Sequence, residues 1–324
     1  MAIKLCIIRD DRLGDLILSM PVIESLKKNN NIEISLIASS INYDFANKTK
    51  VFQNIHVSEN GFINKINLIK KVRRENFDLI VNCSGLKGKI YKLFLPKNNT
   101  ITSILLSRYK KNSHIKKKII KFIQSLFFNK VIIVDRYNDQ IQNNTKHQTN
   151  IVKDLFDNSN LIVDKINDYT FKTNKNAEKN LVIIHLSNSW LQNSRLEKLQ
   201  KIISAIINDT KYNIKLTTEK KINERFNEVI KNCKKNKERI RILLEPSLNQ
   251  LIKVMGDASF VITPECGCSH IATMLNTKTI IIYDNNNLPG TINQEYEPYQ
   301  KIYFKLVFKE DDIIQKTIEI LKLK

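Results

Sequence analysis

The sequence predicts an α/β protein of two Rossmann-like domains, and three observations predict it. Short apolar runs alternate with helix-length segments along the whole chain. A polar stretch, "DYTFKTNKNAEKN" at 168–180, divides that alternation into two series. Of only seven glycines, four (Gly14, Gly85, Gly88 and Gly267) follow predicted strands at their carboxyl ends, where such domains keep their ligands. Glycine tends to sit where the backbone needs positive φ or where a ligand approaches closely.

The apolar run 3–8 reads as the first strand. The helix after Asp15 carries Leu16, Met20 and Ile23 at i, i+4 and i+7, and Pro21 inside it predicts a kink or a restart. Strands are expected at 33–38, 77–82 and 130–135, and helices at 66–74 and 141–156. The second series opens with a strand at 181–185 and continues through a helix at 196–208, a strand at 213–216 and a helix at 223–233. In "SLNQLIKVMG", Ser247 is the expected N-cap and Gly256 the expected C-terminal stop. A strand at 260–263, a helix at 269–275 and a strand at 279–283 follow. The final "EDDIIQKTIEILKLK" is acidic at its start and basic at its end, as the helix dipole favours.

Composition narrows the function classes. With 324 residues, 42% of them hydrophobic, each of two domains can bury its own core. The longest apolar runs are strand-sized, far below the roughly 18 residues of a membrane span. Charge at Arg9 interrupts the N-terminal run, so no signal peptide is expected. Five cysteines, an odd number, exclude a disulfide framework and suit a reducing cytoplasm. The formal charge of +21 has two readings, because only ten of the 53 basic residues are arginine. One is the Lys, Asn and Ile excess of an AT-rich genome. The other is attraction to a polyanion such as lipid headgroups or a phosphorylated glycan, with "YKKNSHIKKKIIK" at 109–121 able to lie against a membrane. No helix-turn-helix, zinc finger or RNP pattern is visible, so nucleic acid is not an expected partner. The absence of G-x-G-x-x-G and of G-x-x-x-x-G-K-[ST] argues against a nicotinamide enzyme and a P-loop NTPase.

Two stretches concentrate chemistry. "RDDRLGDLILSMPVI" (9–23) gathers charge where the first strand hands over to a helix. "FVITPECGCSHIATML" (260–275) is a strand, a tight loop and a helix, whose unpaired N–H groups and positive dipole end suit a diphosphate. His270 in the first turn could donate to a phosphate or ribose oxygen, and Glu265 could accept from sugar hydroxyls. Cys266, Cys268 and His270 form C-x-C-x-H, but zinc sites want a fourth ligand and more open spacing, so no metal is expected. Trp190 could stack on an adenine or fill core. His185, at a strand end, reads as structural.

Together these stretches resemble glycosyltransferase family 9, the bacterial heptosyltransferases of lipopolysaccharide core synthesis. That family's [KR]-x-x-x-[LIM]-G-D with a following Pro is matched by Arg9, Leu13, Gly14, Asp15 and Pro21. Its D-[ST]-G-x-x-H is matched by Glu265, Cys266, Gly267 and His270, and "FDLIVNCSGLKGKIYKLFL" (77–95) is similar to its D-x-x-[IV]-D-x-Q-G-x-x-K-S segment. The resemblance implies a GT-B fold: two Rossmann-like domains facing a cleft, with a C-terminal helix crossing back to the first. The expected divisions are an acceptor domain at 1–167, a linker at 168–180, a nucleotide-sugar domain at 181–308 and the returning helix at 309–324.

It further implies inverting, metal-independent transfer with no cofactor, the nucleotide sugar (an ADP-linked heptose) being substrate. Asp15 would be the general base. Ser187, Asn188, Glu265, Cys266, Gly267 and His270 would bind the donor. Arg9, Arg12, Gly14, Lys87 and Lys89 would bind a lipid-linked, phosphorylated glycan acceptor. The expected location is cytoplasmic, peripheral on the anionic inner face of the membrane. Departures cluster in the donor half: Gln192 stands where a lysine would fall, Glu265 and Cys266 replace Asp and a hydroxyl residue, and "IIIYDNNNLPG" lacks Gly-Pro-Thr. Lys87 and Lys89 flank Gly88 off the family spacing. A different nucleotide sugar, or a weak or inactive binding homologue, is therefore the alternative.

Overall fold

A computed structural model describes residues 2–323, apart from 30, 60, 85–99, 107–110, 143, 162, 164, 167, 168, 172–177, 179, 192, 232–235 and 285–293. The chain forms two compact units, one of Met1–Tyr169 with Gly290–Glu297, the other of Thr170–Pro289 with Pro298–Lys324.

Unit 1 runs β1 (Ile3–Arg9), α1 (Leu13–Asn29), β2 (Ile32–Ser39), α2 (Ser40–Thr49), β3 (Asn54–Ser58), α3 (Phe62–Arg74), β4 (Leu79–Asn82), β5 (Thr100–Leu105), α4 (His114–Ser125), β6 (Lys130–Val134), α5 (Arg136–Ile141) and α6 (Gln148–Asp157). Its six strands are parallel in the order β3-β2-β1-β4-β5-β6. Residues Leu5 to Ile8 of β1 are fully buried, as a central parallel strand covered on both faces requires. On one face Cys6, Ile8, Ile37 and Ile80 pack against Leu68, Ile69 and Val72 of α3. Against α1 packs α6, where Thr149 Oγ1 donates to the Leu18 carbonyl at 2.8 Å.

Unit 2 runs β7 (Leu181–His185), a single 3-10 turn (Asn188–Trp190), α7 (Asn193–Asp209), β8 (Asn213–Thr218), α8 (Lys220–Lys231), a second such turn (Lys237–Arg239), β9 (Ile240–Leu244), α9 (Leu248–Asp257), β10 (Phe260–Pro264), α10 (Gly267–Met274), β11 (Lys278–Tyr283), β12 (Tyr303–Val307) and α11 (Ile313–Lys322). The order β12-β11-β10-β7-β8-β9, again parallel, repeats the topology of unit 1. In each sheet the strand order reverses beside the unit's first strand, between β1 and β4 and between β7 and β10. That reversal opens a crevice at the strands' carboxyl ends.

Several expectations change. The first helix runs through Pro21 without restarting. Proline there leaves one carbonyl without its helical donor, but Leu16, Ile17, Leu18, Met20, Val22, Ile23 and Leu26 are all buried, and that packing holds the helix together. The expected 141–156 helix is two helices, α5 and α6. Gly256 lies inside α9, which ends at Asp257 with Ala258 as its C-cap. Neither Gly14 nor Gly267 has positive φ; among described glycines only Gly61 does, at 109°. Both lie in first turns, so what they supply is a bare backbone rather than an unusual conformation.

The terminal helix also differs from its expected place against the first domain. Ile313, Ile318 and Leu321 of α11 are buried in the core of unit 2 with Leu199, Ile202 and Ile206 of α7. An apolar stripe at i, i+5, i+8 needs a long apolar partner, and α7 provides one. The segment that does return to unit 1 is Gly290–Glu297.

Candidate functional site

In unit 1 the crevice is filled by the charged loop of the opening strand. Arg9, the last residue of β1, is 3% exposed. Its Nη1 donates to the Cys83 carbonyl beyond β4 and pairs with Asp11 Oδ2 at 3.3 Å. Its Nη2 donates to the Asp15 carbonyl at 3.0 Å and lies 3.9 Å from Asp15 Oδ1. Burial opposes the guanidinium's charge, but Asp11 and then Asp15 outweigh it and raise its pKa. Arg9 thus turns both of its Nη groups inside the loop, beside the Asp11 and Asp15 carboxylates.

The loop is tied down from several sides. Asp10 N donates to Ser84 Oγ at 2.9 Å, and Asn42 Nδ2 donates to the carbonyls of Arg9 (3.0 Å) and Asp11 (3.3 Å). Asp11, which the sequence reading passed over, has its pKa pushed up to about 6; burial is the main cause, with Asp15 and Asp10 adding to it against Arg9. Asp15 is the third residue of α1 and keeps 17% of its side chain exposed. Arg12 is exposed and Gly14 buried. Lys87 and Lys89 lie outside the described residues.

The returning segment adds groups that spacing along the chain could not reveal. Glu295, buried, takes a bidentate pair from Arg136, Nε to Oε2 and Nη2 to Oε1, both at 2.9 Å, and Gln148 Nε2 at 2.7 Å. Next to it, Tyr296 is pushed up to about 12 by burial and then by Glu295; Arg136 opposes, and Asp15 is close enough to raise it further. The Tyr296 phenol thus feels both Asp15 and Arg136.

In unit 2 the crevice lies between the ends of β7 and β10. Ser187 caps the turn that follows β7, its Oγ accepting from Ser189 N at 3.3 Å, and Asn188 opens that turn. Trp190 is fully buried; its Nε1 donates to the His185 carbonyl at 3.1 Å and its ring meets Phe308 edge-on at 5.1 Å. It is core, not a stacking platform. Gln192 lies outside the described residues. Arg195, also missed, is buried at the start of α7, donates to the Ser189 carbonyl at 2.9 Å and pairs with Asp284 at 2.8 Å.

Across the crevice, Glu265 follows β10, its N–H bonded to the Ile282 carbonyl at 3.3 Å. Cys266 is the N-cap of α10 without a side-chain cap bond, and Gly267 is its first residue. His270 is buried one turn in, and the histidine that meets the cysteines is His185. His185, Cys266 and Cys268 bring one donor atom each within 4.8 Å of one another, a set a thiophilic ion could use. The Cys266 thiol is drawn well below its usual range, first by a hydrogen bond from Cys268; burial opposes this, while His185 and Thr263 (3.3 Å) assist. Cys268 moves up correspondingly. Periodicity could not show this trio, because His185 comes from a strand some 80 residues earlier.

Two parallel six-stranded sheets of identical doubly wound order, each with polar chemistry at its switch point, define a GT-B architecture. The chain belongs to glycosyltransferase family 9 (heptosyltransferase), whose family model matches residues 66–303, and it is a glycosyltransferase. That span contains the 260–275 motif and not the Arg9–Asp15 loop. No curated protein sequence matches. Among solved structures, a family 9 glycosyl transferase from Veillonella parvula is 16% identical with a TM-score of 0.70, covering 99% of this chain and 90% of that one. The E. coli heptosyltransferase WaaC with ADP is 13% identical (TM-score 0.72; 98% and 99% covered). The E. coli ADP-heptose lps heptosyltransferase II is 14% identical (TM-score 0.72; 98% and 97% covered). Among described residues no helix is long and apolar enough to cross a membrane.

Proposed function

We propose that this glycosyltransferase moves a heptose from an ADP-linked donor onto a lipopolysaccharide core or related lipid-linked glycan, with inversion and without a metal. The observation that carries the reading is Asp15: a carboxylate with one edge exposed, held at a strand-to-helix junction by a buried arginine. In this mechanism Asp15 accepts the proton of the acceptor hydroxyl as that oxygen bonds to the anomeric carbon. The bond from that carbon to the donor's diphosphate breaks, and the electron pair leaves with the diphosphate. The N–H groups at the start of α10, by Gly267, take up the developing negative charge. Arg9 acts as a positioning residue. Arg12 is the exposed cation for an anionic acceptor, with Lys87 and Lys89 assigned to the same role. Ser187, Asn188, Glu265, Cys266 and His270 border the donor.

The departure at Cys266, with His185 and Cys268 gathered on it, supports a second reading in which the nucleotide differs from ADP. Calorimetric titration with ADP, UDP, GDP and CMP, followed by a transfer assay with ADP-heptose, separates the two. The expected result is micromolar ADP binding that Asp15→Asn keeps, with kcat lowered by about 10²–10⁴-fold, the usual contribution of a positioned base. EDTA leaves the rate unchanged. Preference for another nucleotide moves the assignment to another sugar; unaltered kcat in Asp15→Asn removes the base.

A further inference from the structure

Five of the thirteen exposed large apolar side chains of the described structure lie on or just beyond one helix, α4. Ile115, Ile119, Phe122, Ile123 and Leu126 are each between 42% and 70% exposed. Their spacing, i, i+4, i+7, i+8 and i+11, gathers them within an arc of about 100° on a helix. The opposite side is the one that packs: Gln124 is buried, and Lys117 and Ile120 are half-buried. A surface helix ordinarily turns its apolar stripe inward. This helix presents that stripe to the outside.

Polar contacts fasten it in this orientation. Ser113 caps the helix by accepting from Lys116 N at 3.2 Å. Lys117 pairs with Asp135, the residue after edge strand β6, and Asn112 Nδ2 donates to Asp135 Oδ1 at 2.9 Å. Burial pushes the Asp135 carboxyl up, but the Lys117 and Asn112 hydrogen bonds outweigh it and hold it below its usual range. On the wheel, Lys116 and Lys118 border the apolar arc on its two sides, with Lys121 beyond, and the helix has no acidic residue. A second copy seated face to face would set lysine against lysine. An anionic bilayer matches both the stripe and its borders, since lysine stems can reach to headgroup level.

We propose that α4 is a membrane-docking helix. It lies in the interfacial layer of an anionic bilayer, with Ile119 and Phe122 toward the acyl chains and Lys116 and Lys118 among the headgroups. The inference concerns the surface of unit 1 alone and stands apart from the identity of donor and acceptor.

The test is flotation with vesicles of phosphatidylcholine, alone or mixed with phosphatidylglycerol. It compares the wild-type chain with Ile119→Ser/Phe122→Ser and with Lys118→Glu/Lys121→Glu. All four side chains are exposed, so circular dichroism is expected to be unchanged. The wild type is expected to float with the anionic vesicles and to be released by salt, and each double variant to bind at least about tenfold more weakly. Nucleotide binding is expected to be the same in all three, which separates this result from the donor assignment. Failure of the wild type to float, or flotation of the variants equal to that of the wild type, overturns the proposal. So does a wild-type dimer that Ile119→Ser/Phe122→Ser splits without any lipid binding, which would assign the face to a second copy.

Discussion

Arg9 holds two carboxylates, Asp11 at 3.3 Å and Asp15 at 3.9 Å, and the loop's behaviour follows from how one guanidinium serves both. The Asp11 pKa of about 6 lies above its value of 3.8 in an unfolded chain. Between about pH 4 and pH 6 the folded protein therefore binds more protons than the unfolded one, and stability falls as pH rises through that window. Asp11→Asn is expected to flatten this slope, an effect of at most about 3 kcal/mol, measurable by urea unfolding at pH 4, 5, 6 and 7. At Cys266 the hydrogen bonds from Cys268 and His185 favour the thiolate. Iodoacetamide at neutral pH is thus expected to label Cys266 ahead of Cys6, Cys83 and Cys268, and His185→Ala to slow that labelling. Burial raises the thiols of Cys6 and Cys83, the latter to about 12, and keeps them slow. Equal labelling of all four, read by peptide mass spectrometry, would contradict the trio's geometry.

At the scale of elements, local chemistry decided what could be read from sequence. The start of α9 was fully legible: Ser247 Oγ accepts from Gln250 N at 3.3 Å, and Gln250 Oε1 accepts from Ser247 N at 2.9 Å. Ser247→Ala is expected to cost about 1 kcal/mol in thermal or urea unfolding, with Gln250→Ala costing less. Central strands such as β7 and β10 were also legible, because short continuous apolar runs (Leu181 to Ile184, Phe260 to Ile262) bounded by turns have few other readings. Strands β3, β9 and β12 were not. They lie at or next to sheet edges, where exposed positions break the apolar run; β9 has only Ile240 and Leu243 partly covered. For α1 the reading left a kink or a restart at Pro21 open; the helix does not restart, because the burial that holds it together is tertiary. α4 was not read as a helix, only as a basic stretch able to lie against a membrane. Its lysines were visible as charge, but an outward-facing apolar stripe cannot be told from an inward-facing one until the packing side is known. The candidate site divides along the same line. Asp15, Glu265 and Gly267 sit in contiguous motifs; His185, Arg195 and Tyr296 reach their sites through the topology.

The whole molecule is two cores joined by a chain that changes unit more than once: out of unit 1 after Tyr169, back for Gly290–Glu297, and out again at Pro298. At the described end of the returning segment, buried charge makes the fastening. Glu295 is 3% exposed, accepts hydrogen bonds from Arg136 Nε and Gln148 Nε2 and lies 2.9 Å from Arg136 Nη2, while the His147 ring is bonded to the Glu297 carbonyl at 2.7 Å. Removing one partner of such a buried pair strands the other charge, which typically costs about 3–5 kcal/mol, whereas a surface pair costs about 0–1. Arg136→Ala is therefore expected to destabilise unit 1 by several kcal/mol and to leave the unit 2 core, built on Trp190, Ile202, Ile206 and Phe226, with its full protection. Hydrogen exchange resolves the two by peptide: β1, α1 and α6 should exchange faster in the variant, and β7, β8 and α7 at the wild-type rate. Loss spread equally over both units would mean that they unfold as one. Because the same segment brings Tyr296 beside Asp15, the variant is also expected to lose transfer activity more than it loses nucleotide binding. A fall in both together would place the segment's contribution on the donor side instead.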